Sequence, residues 1–340
     1  MRTNYSNNTI MEVNGLKCVI NTPKAIEDKK DEVHSLPPYA KQDVFLVDEY
    51  ESCPENWIHG SSNSSSYFLG VQEGTGLWLD FNQNCYNTHD VAVVVSIQGI
   101  NPITGQKTLK TEMEQYIDKC PVHNKEFQQD RFCPKCKFKW PKQNYLSTAS
   151  CFSGQFWLDG FRMPDGKVRQ WVFTKDTIRG VAKNIIGEDR VFAIGLAFYK
   201  SKKPKQTFDY EEFFKEKFKN KQPYKVNSPN VIWEHKFMYD SDVYGSETPI
   251  SCNSMLSDNV KKSPRCLRGF VETEKFEVAA GAQISQEVRE DSNSLDYWEK
   301  TPSGFIYINY DSVENISKII QNGKRKEISE GFLANIPTGN

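Results

Sequence analysis

Between Cys120 and Cys136 the chain reads CPVHNKEFQQDRFCPKC, and it concentrates soft metal donors as no other stretch does. Cys120 and His123 form one pair, Cys133 and Cys136 a second, each with two residues between its donors. A Cys-x-x-Cys or Cys-x-x-His turn places two donors on the same side of an ion. The proline after the first cysteine of each pair stiffens that turn by fixing φ. Thiolate and imidazole are the donors zinc prefers, and it takes four of them in a tetrahedron. A catalytic zinc keeps one position open for water. Here four good donors are available, so the shell closes and the ion holds a fold instead of activating water. The connecting loop NKEFQQDR is too polar to fold itself by burial, which is consistent with an ion organising it.

The segment FCPKCKF, Phe132 to Phe138, resembles the second knuckle of a zinc ribbon, a likeness that covers about twenty residues and names a class of metal site. The resemblance implies a hairpin that carries two of the ligands, on a structural zinc. The same region has a second candidate chemistry. Lys135, Lys137, Lys139 and Lys142 surround Phe138, Trp140 and Tyr145, and basic residues interleaved with aromatics suit phosphate contact and base stacking. The competing reading puts the lysines on the outside of a strand with Phe138 and Trp140 packed inward. The acidic groups of MEQYIDK and EFQQD offset the basic patch and favour that second reading.

Catalytic candidates are few. His89 adjoins Asp90 and lies close in sequence to Asp80 and Cys85, an acid–base or Cys–His cluster if the loop folds back on itself. The same THD also reads as a polar turn ahead of a buried strand, the preferred interpretation. No dinucleotide glycine fingerprint, phosphate-binding loop, HExxH or G-x-S-x-G elbow is present. An enzyme is therefore the least favoured of three classes.

The elements that must position these residues are mostly strands. SYFLGV, GLWLDFN, VAVVVSI, RVFAIGLAFY and GFIYINY have strand composition, and the unbroken apolar run of VAVVVSI predicts burial on both faces. GQFWLDGFR and KVRQWVFT, joined by MPDG, predict a hairpin in which Phe156, Leu158 and Phe161 face Val168, Trp171 and Phe173. GINPITG predicts a turn, and EVAAGAQI a strand with a bulge or close backbone approach. Apolar spacing predicts helices over KDTIRGVAKNIIG, FDYEEFFKEKFKN and SVENISKIIQNG. The expected fold class is β-rich α+β, a sandwich or jelly-roll-like body with an inserted zinc-ribbon-like clip and short helices.

Four regions are expected along the 340 residues. Residues 1–42 read as an extended or disordered arm, and 43–200 as a β-rich domain with the clip at 112–146. Residues 201–268 read as a basic linker, short helix and irregular segment, and 269–340 as a small C-terminal α+β unit. Forty-three basic against 44 acidic residues leave a net charge of −1, without the basic excess of a dedicated nucleic-acid binder. No run reaches the ~18 apolar residues of a membrane helix. Nine cysteines without a disulfide framework suit a reducing compartment, so a cytoplasmic location with no membrane partner is expected. The leading expectation is a non-enzymatic structural or protein-interaction protein whose partner is another protein or further copies of itself in a homo-oligomer, carrying structural zinc. Nucleic-acid binding through Lys135, Lys137, Lys139, Trp140 and Lys142 is the alternative.

Overall fold

Asn14 and Gly15 reverse the chain between β1 (Met11–Val13) and β2 (Leu16–Pro23), both with positive φ, 53° and 75°. That two-residue mirror-image turn is the one Asn-Gly favours, because its twist matches that of the flanking strands. Leu16, Cys18 and Ile20 alternate into the core from β2. Residues 11–23 are thus core strands, and the expected arm over 1–42 is corrected for them. The computed structural model describes residues 11–29, 33–34, 39–83, 87–108, 111–150, 155–187, 193–204 and 274–324. These fall within the compact unit formed by residues 1–205 and 266–340. Most of the expected 201–268 region, including the helix FDYEEFFKEKFKN, lies outside the described residues, as does Cys85.

The described residues are strand-rich and form several sheets. In a five-stranded sheet β2 pairs with β1, β3 (Tyr39–Lys41) and β6 (Trp78–Gln83), and β6 pairs in turn with β13 (Gln155–Leu158). An eight-stranded sheet runs in the order β4 (Phe45–Leu46), β5 (Ser64–Val71), β18 (Gly304–Ser312), β16 (Ala193–Lys200), β7 (Val91–Ile97), β8 (Ile100–Asn101) and β9 (Gln106–Lys107). Its eighth strand, β12 (Tyr145–Ser147), pairs with β7. The β5–β18 pair is parallel. β14 (Gly160–Arg162), β15 (Val168–Thr174) and β17 (Glu277–Ile284) form a third sheet. β10 (Phe132–Cys133) and β11 (Phe138–Lys139) form a hairpin.

One core cluster takes its side chains from the three larger sheets: Leu79 and Phe81, Val93, Val95 and Leu196, and Phe161 and Trp171 among them. The opposite face of β7 buries Ala92 and Val94 with Tyr145, Tyr199 and Trp298. Burial of β7 on both faces is what its apolar run predicts.

Three sequence expectations are corrected by packing. The stretch FWLDGFR is not one strand: it changes sheets at Asp159, so Phe156 stacks on Phe81 at 5.3 Å while Phe161 meets Trp171 at 5.8 Å. The helix expected from Lys175 begins only at α1 (Val181–Ile186), because the backbone of Gly180 is drawn into a β-bridge with Ala279. Ile178, inside the expected helix, is 79% exposed as a result. Finally, residues 277–312 do not form a unit of their own. β18 lies between β5 and β16, and β17 pairs with β15, so the C-terminal strands complete the body's sheets.

Other expectations hold. MPDG joins β14 to β15 as a hairpin, and GINPITG carries positive φ at Gly99 and Gly105. α2 (Val313–Gln321) is capped by the Ser312 hydroxyl, which accepts from the Asn315 N–H at 3.3 Å. The β15–β17 register slips between Arg169 and Trp171, an irregularity that places an extra residue on β17 near Gly281. Among the described residues no helix is long and apolar enough to cross a membrane.

Candidate metal centre

The clip leaves the eight-stranded sheet after β9 and returns at β12, and its two ends are clamped together. Tyr116 N–H donates to the Lys142 carbonyl at 2.6 Å. The Asn144 side chain accepts from Glu114 N–H at 2.8 Å and donates to the Glu112 carbonyl at 2.9 Å. Asn101 of β8 donates to the Asn144 carbonyl at 2.7 Å, which ties the clamp to the sheet. Side-chain amides thus satisfy backbone groups where the strand ladder is interrupted.

Both knuckles end on a residue with positive φ. Asn124 N–H donates to the Cys120 carbonyl at 2.8 Å, and Asn124 sits in the left-handed region at φ 48°. Lys137, in the equivalent place after Cys136, has φ 54°. Asparagine tolerates this region and lysine does not favour it, so the second turn stores strain that metal ligation would offset.

The four donor atoms of Cys120, His123, Cys133 and Cys136 lie within 4.8 Å of one another. His123 Nδ1 is 3.7 Å from both the Cys120 and Cys133 sulfurs, and the Cys120 and Cys136 sulfurs are 3.9 Å apart. Donors about 2.0–2.3 Å from a tetrahedral zinc stand roughly 3.5–3.8 Å from each other. The group is therefore positioned to hold a metal ion of that size. Burial opposes ionisation of Cys133, but the N–H groups of Cys136 and Lys135 and the neighbouring thiols bring its pKa down to about 6. Burial raises the pKa of Cys136, and the thiols of Cys133 and Cys120 add to that rise. The buried Trp140 indole N–H, directed at that sulfur, works in the opposite sense.

A small aromatic core backs the donors. Trp140 packs edge-on to Tyr116 at 5.2 Å and tilted against Phe138 at 5.2 Å, with Cys120 and Cys133 in the same cluster. Trp140 is 3% exposed and thus closed to base stacking. Lys139 pairs with Asp130 at 3.2 Å and Lys142 with Glu290 at 3.5 Å, whereas Lys135 and Lys137 are exposed on the second knuckle. The five residues of the nucleic-acid alternative are thus not presented together as one basic, aromatic face.

Asp80, His89 and Asp90 each have engagements of their own. Asp80 on β6 stands beside Cys18, whose thiol pKa is pushed up by burial and then by the Asp80 charge. His89 Nδ1 lies 2.9 Å from the Thr88 hydroxyl; burial and Lys200 lower its pKa, and Asp90 opposes them. The Asp90 carboxylate accepts from the Thr148 hydroxyl at 3.2 Å and the Tyr297 hydroxyl at 2.7 Å, which joins the start of β7 to two distant segments.

Two features escaped the sequence reading. Asp159, at the corner between β13 and β14, is buried with neither carboxylate oxygen hydrogen-bonded. Arg131 and Arg162, 31 positions apart, line the same cleft. Neither has a local signature: a lone Asp before Gly reads as a turn residue, and two distant arginines have no spacing to read. No protein-family model, no curated protein and no solved structure matches this chain.

Proposed function

We propose that this chain is a non-enzymatic structural or protein-interaction protein, stabilised by a structural zinc and self-assembling as a homo-oligomer. The observation that carries the reading is the four-donor group at Cys120, His123, Cys133 and Cys136, which leaves no position for a substrate or reactive water once an ion is bound. We read the body as a sandwich and the clip as zinc-ribbon-like, with the β10–β11 hairpin as its second knuckle. Ile117 and Val122 project from the clip at 62% and 63% exposure, apolar contacts available to a second copy. A net charge near zero removes the general repulsion that would keep copies apart. Burial of Trp140 weighs against nucleic-acid binding, and the two hydroxyls held by Asp90 weigh against a catalytic role there.

The test is metal analysis and static light scattering on one purified sample. One zinc per chain in a defined oligomer, reduced to monomer by Ile117→Ser with Val122→Ser, is the expected result. A strict monomer at all concentrations would end the assembly reading, and absence of zinc would end the metal reading.

A further inference from the structure

A cleft of about 500 Å³ opens where the clip meets the β body. Four cations reach it: Arg131, Lys139 and Lys142 from the clip, and Arg162 from β14. Three of them have carboxylate partners. Arg131 and Lys142 share Glu290, and Lys139 pairs with Asp130. Arg162 has no carboxylate partner among the described residues. Its Nε–H donates to the Lys139 carbonyl at 3.1 Å, which fixes the plane of the guanidinium and leaves its terminal N–H groups without a protein acceptor.

That arrangement leaves the guanidinium open to an acceptor from the cleft. Arg162 is half-buried, and burial first, then the like charge of Arg131, weigh against its charged form, with Asp165 only partly offsetting them. Desolvated charges in proteins are ordinarily paired. The backbone adds a second sign: Asp130 and Arg131 are consecutive non-glycine residues in the left-handed region, at φ 59° and 56°. Strain of this kind persists where surrounding structure enforces it, and it collects at binding sites. Ile103, Val168 and Val288 give the cleft an apolar side. Its size lies in the range of small-molecule sites. Glu290, already held by Arg131 and Lys142, shows that these groups take a carboxylate.

We propose that this cleft binds a small organic oxyanion. The Arg162 fork takes the ligand's carboxylate or phosphate group, Arg131 and Lys142 flank it, and the organic body rests on the apolar side. An arginine fork matches either anion bidentately, which an ammonium cannot do. The inference goes beyond the assembly reading and does not depend on it.

Calorimetric titration of the metal-loaded 340-residue chain with succinate and with phenyl phosphate, at low salt, tests it. The expected result is one-to-one binding of at least one probe, and the preferred probe identifies the anion. Arg162→Gln should weaken binding by about tenfold or more and Arg162→Lys by less, the fork being lost but the charge kept. Lys300→Gln, at an exposed lysine outside the cleft lining, should leave affinity unchanged. If Arg162→Gln fails to fold, Lys142→Gln takes its place, with a several-fold loss expected. Absence of binding of either probe at millimolar concentration would overturn the proposal. So would an equal loss in Lys300→Gln, which would mean general charge attraction instead of a site.

Discussion

Asp159 is the described residue at which charge and burial conflict most openly. Neither oxygen of its carboxylate is hydrogen-bonded, and burial pushes its pKa up to about 7, with its own backbone N–H opposing. An aspartate in the unfolded chain titrates near ~3.9. Between those values the folded protein keeps a proton that the unfolded chain has released. Asp159 therefore favours folding fully below about pH 4, progressively less as pH rises, and imposes its whole penalty above about pH 7, a difference on the order of 4 kcal/mol. Urea unfolding at pH 5 and pH 8 should show the wild type losing stability on going to the higher pH, with much of that loss absent in Asp159→Asn. Parallel pH profiles for the two proteins would show that the carboxyl does not titrate in the fold. The contrast with the four metal donors is instructive. Their spacing of two residues is a local geometric instruction, whereas the burial of Asp159 follows from a strand changing sheets, which WLDGFR does not signal.

At the scale of elements, turns decide where the clefts open. Gly105 has φ 65°, and a Cβ on it would stand 2.1 Å from the Arg162 carbonyl oxygen, a backbone atom that cannot rotate away. The turn after β8 and the strand that carries Arg162 are thus in contact only because this residue has no side chain. Gly105→Ala should cost about 2 kcal/mol or more in chemical denaturation. It should also weaken anion binding in the cleft through displacement of Arg162. A neutral substitution would mean that the loop relaxes independently of β14. Gly99 and Gly105 were legible as turn residues from GINPITG, and Asn14–Gly15 carried an equally readable hairpin signal inside what looked like a polar arm. The start of α1 was not legible, since the bridge from Gly180 to Ala279 overrides a helical apolar pattern with a pairing almost a hundred residues away.

At the scale of the whole chain, the clip and the β body have separate sources of stability. The body buries one large cluster drawn from three sheets, whereas the clip has only a handful of aromatic and cysteine side chains. Its base is clamped by Asn144 without help from the metal site. Chelation should therefore abolish hydrogen-exchange protection over residues 118–139 while β7, β16 and β18 stay protected, as read by mass spectrometry. Loss of protection throughout would show that the clip is integral to the body's fold. The Arg131 side of the cleft belongs to the loop between the two donor pairs, so anion affinity should fall with it on chelation.

The sequence alone determined the donor set, the strand-rich character, the MPDG hairpin, the C-terminal helix and the inward packing of Phe138 and Trp140. Each of these rests on spacing, alternation or turn chemistry within a short stretch of chain. Only the tertiary structure decided that β18 enters the sheet between β5 and β16, that Asp159 is buried, and that Arg131 and Arg162 share a cleft. Those outcomes depend on which of many similar apolar strand faces meet. Hydrophobic burial is non-directional, so it specifies that such faces are covered without naming the strand that covers them.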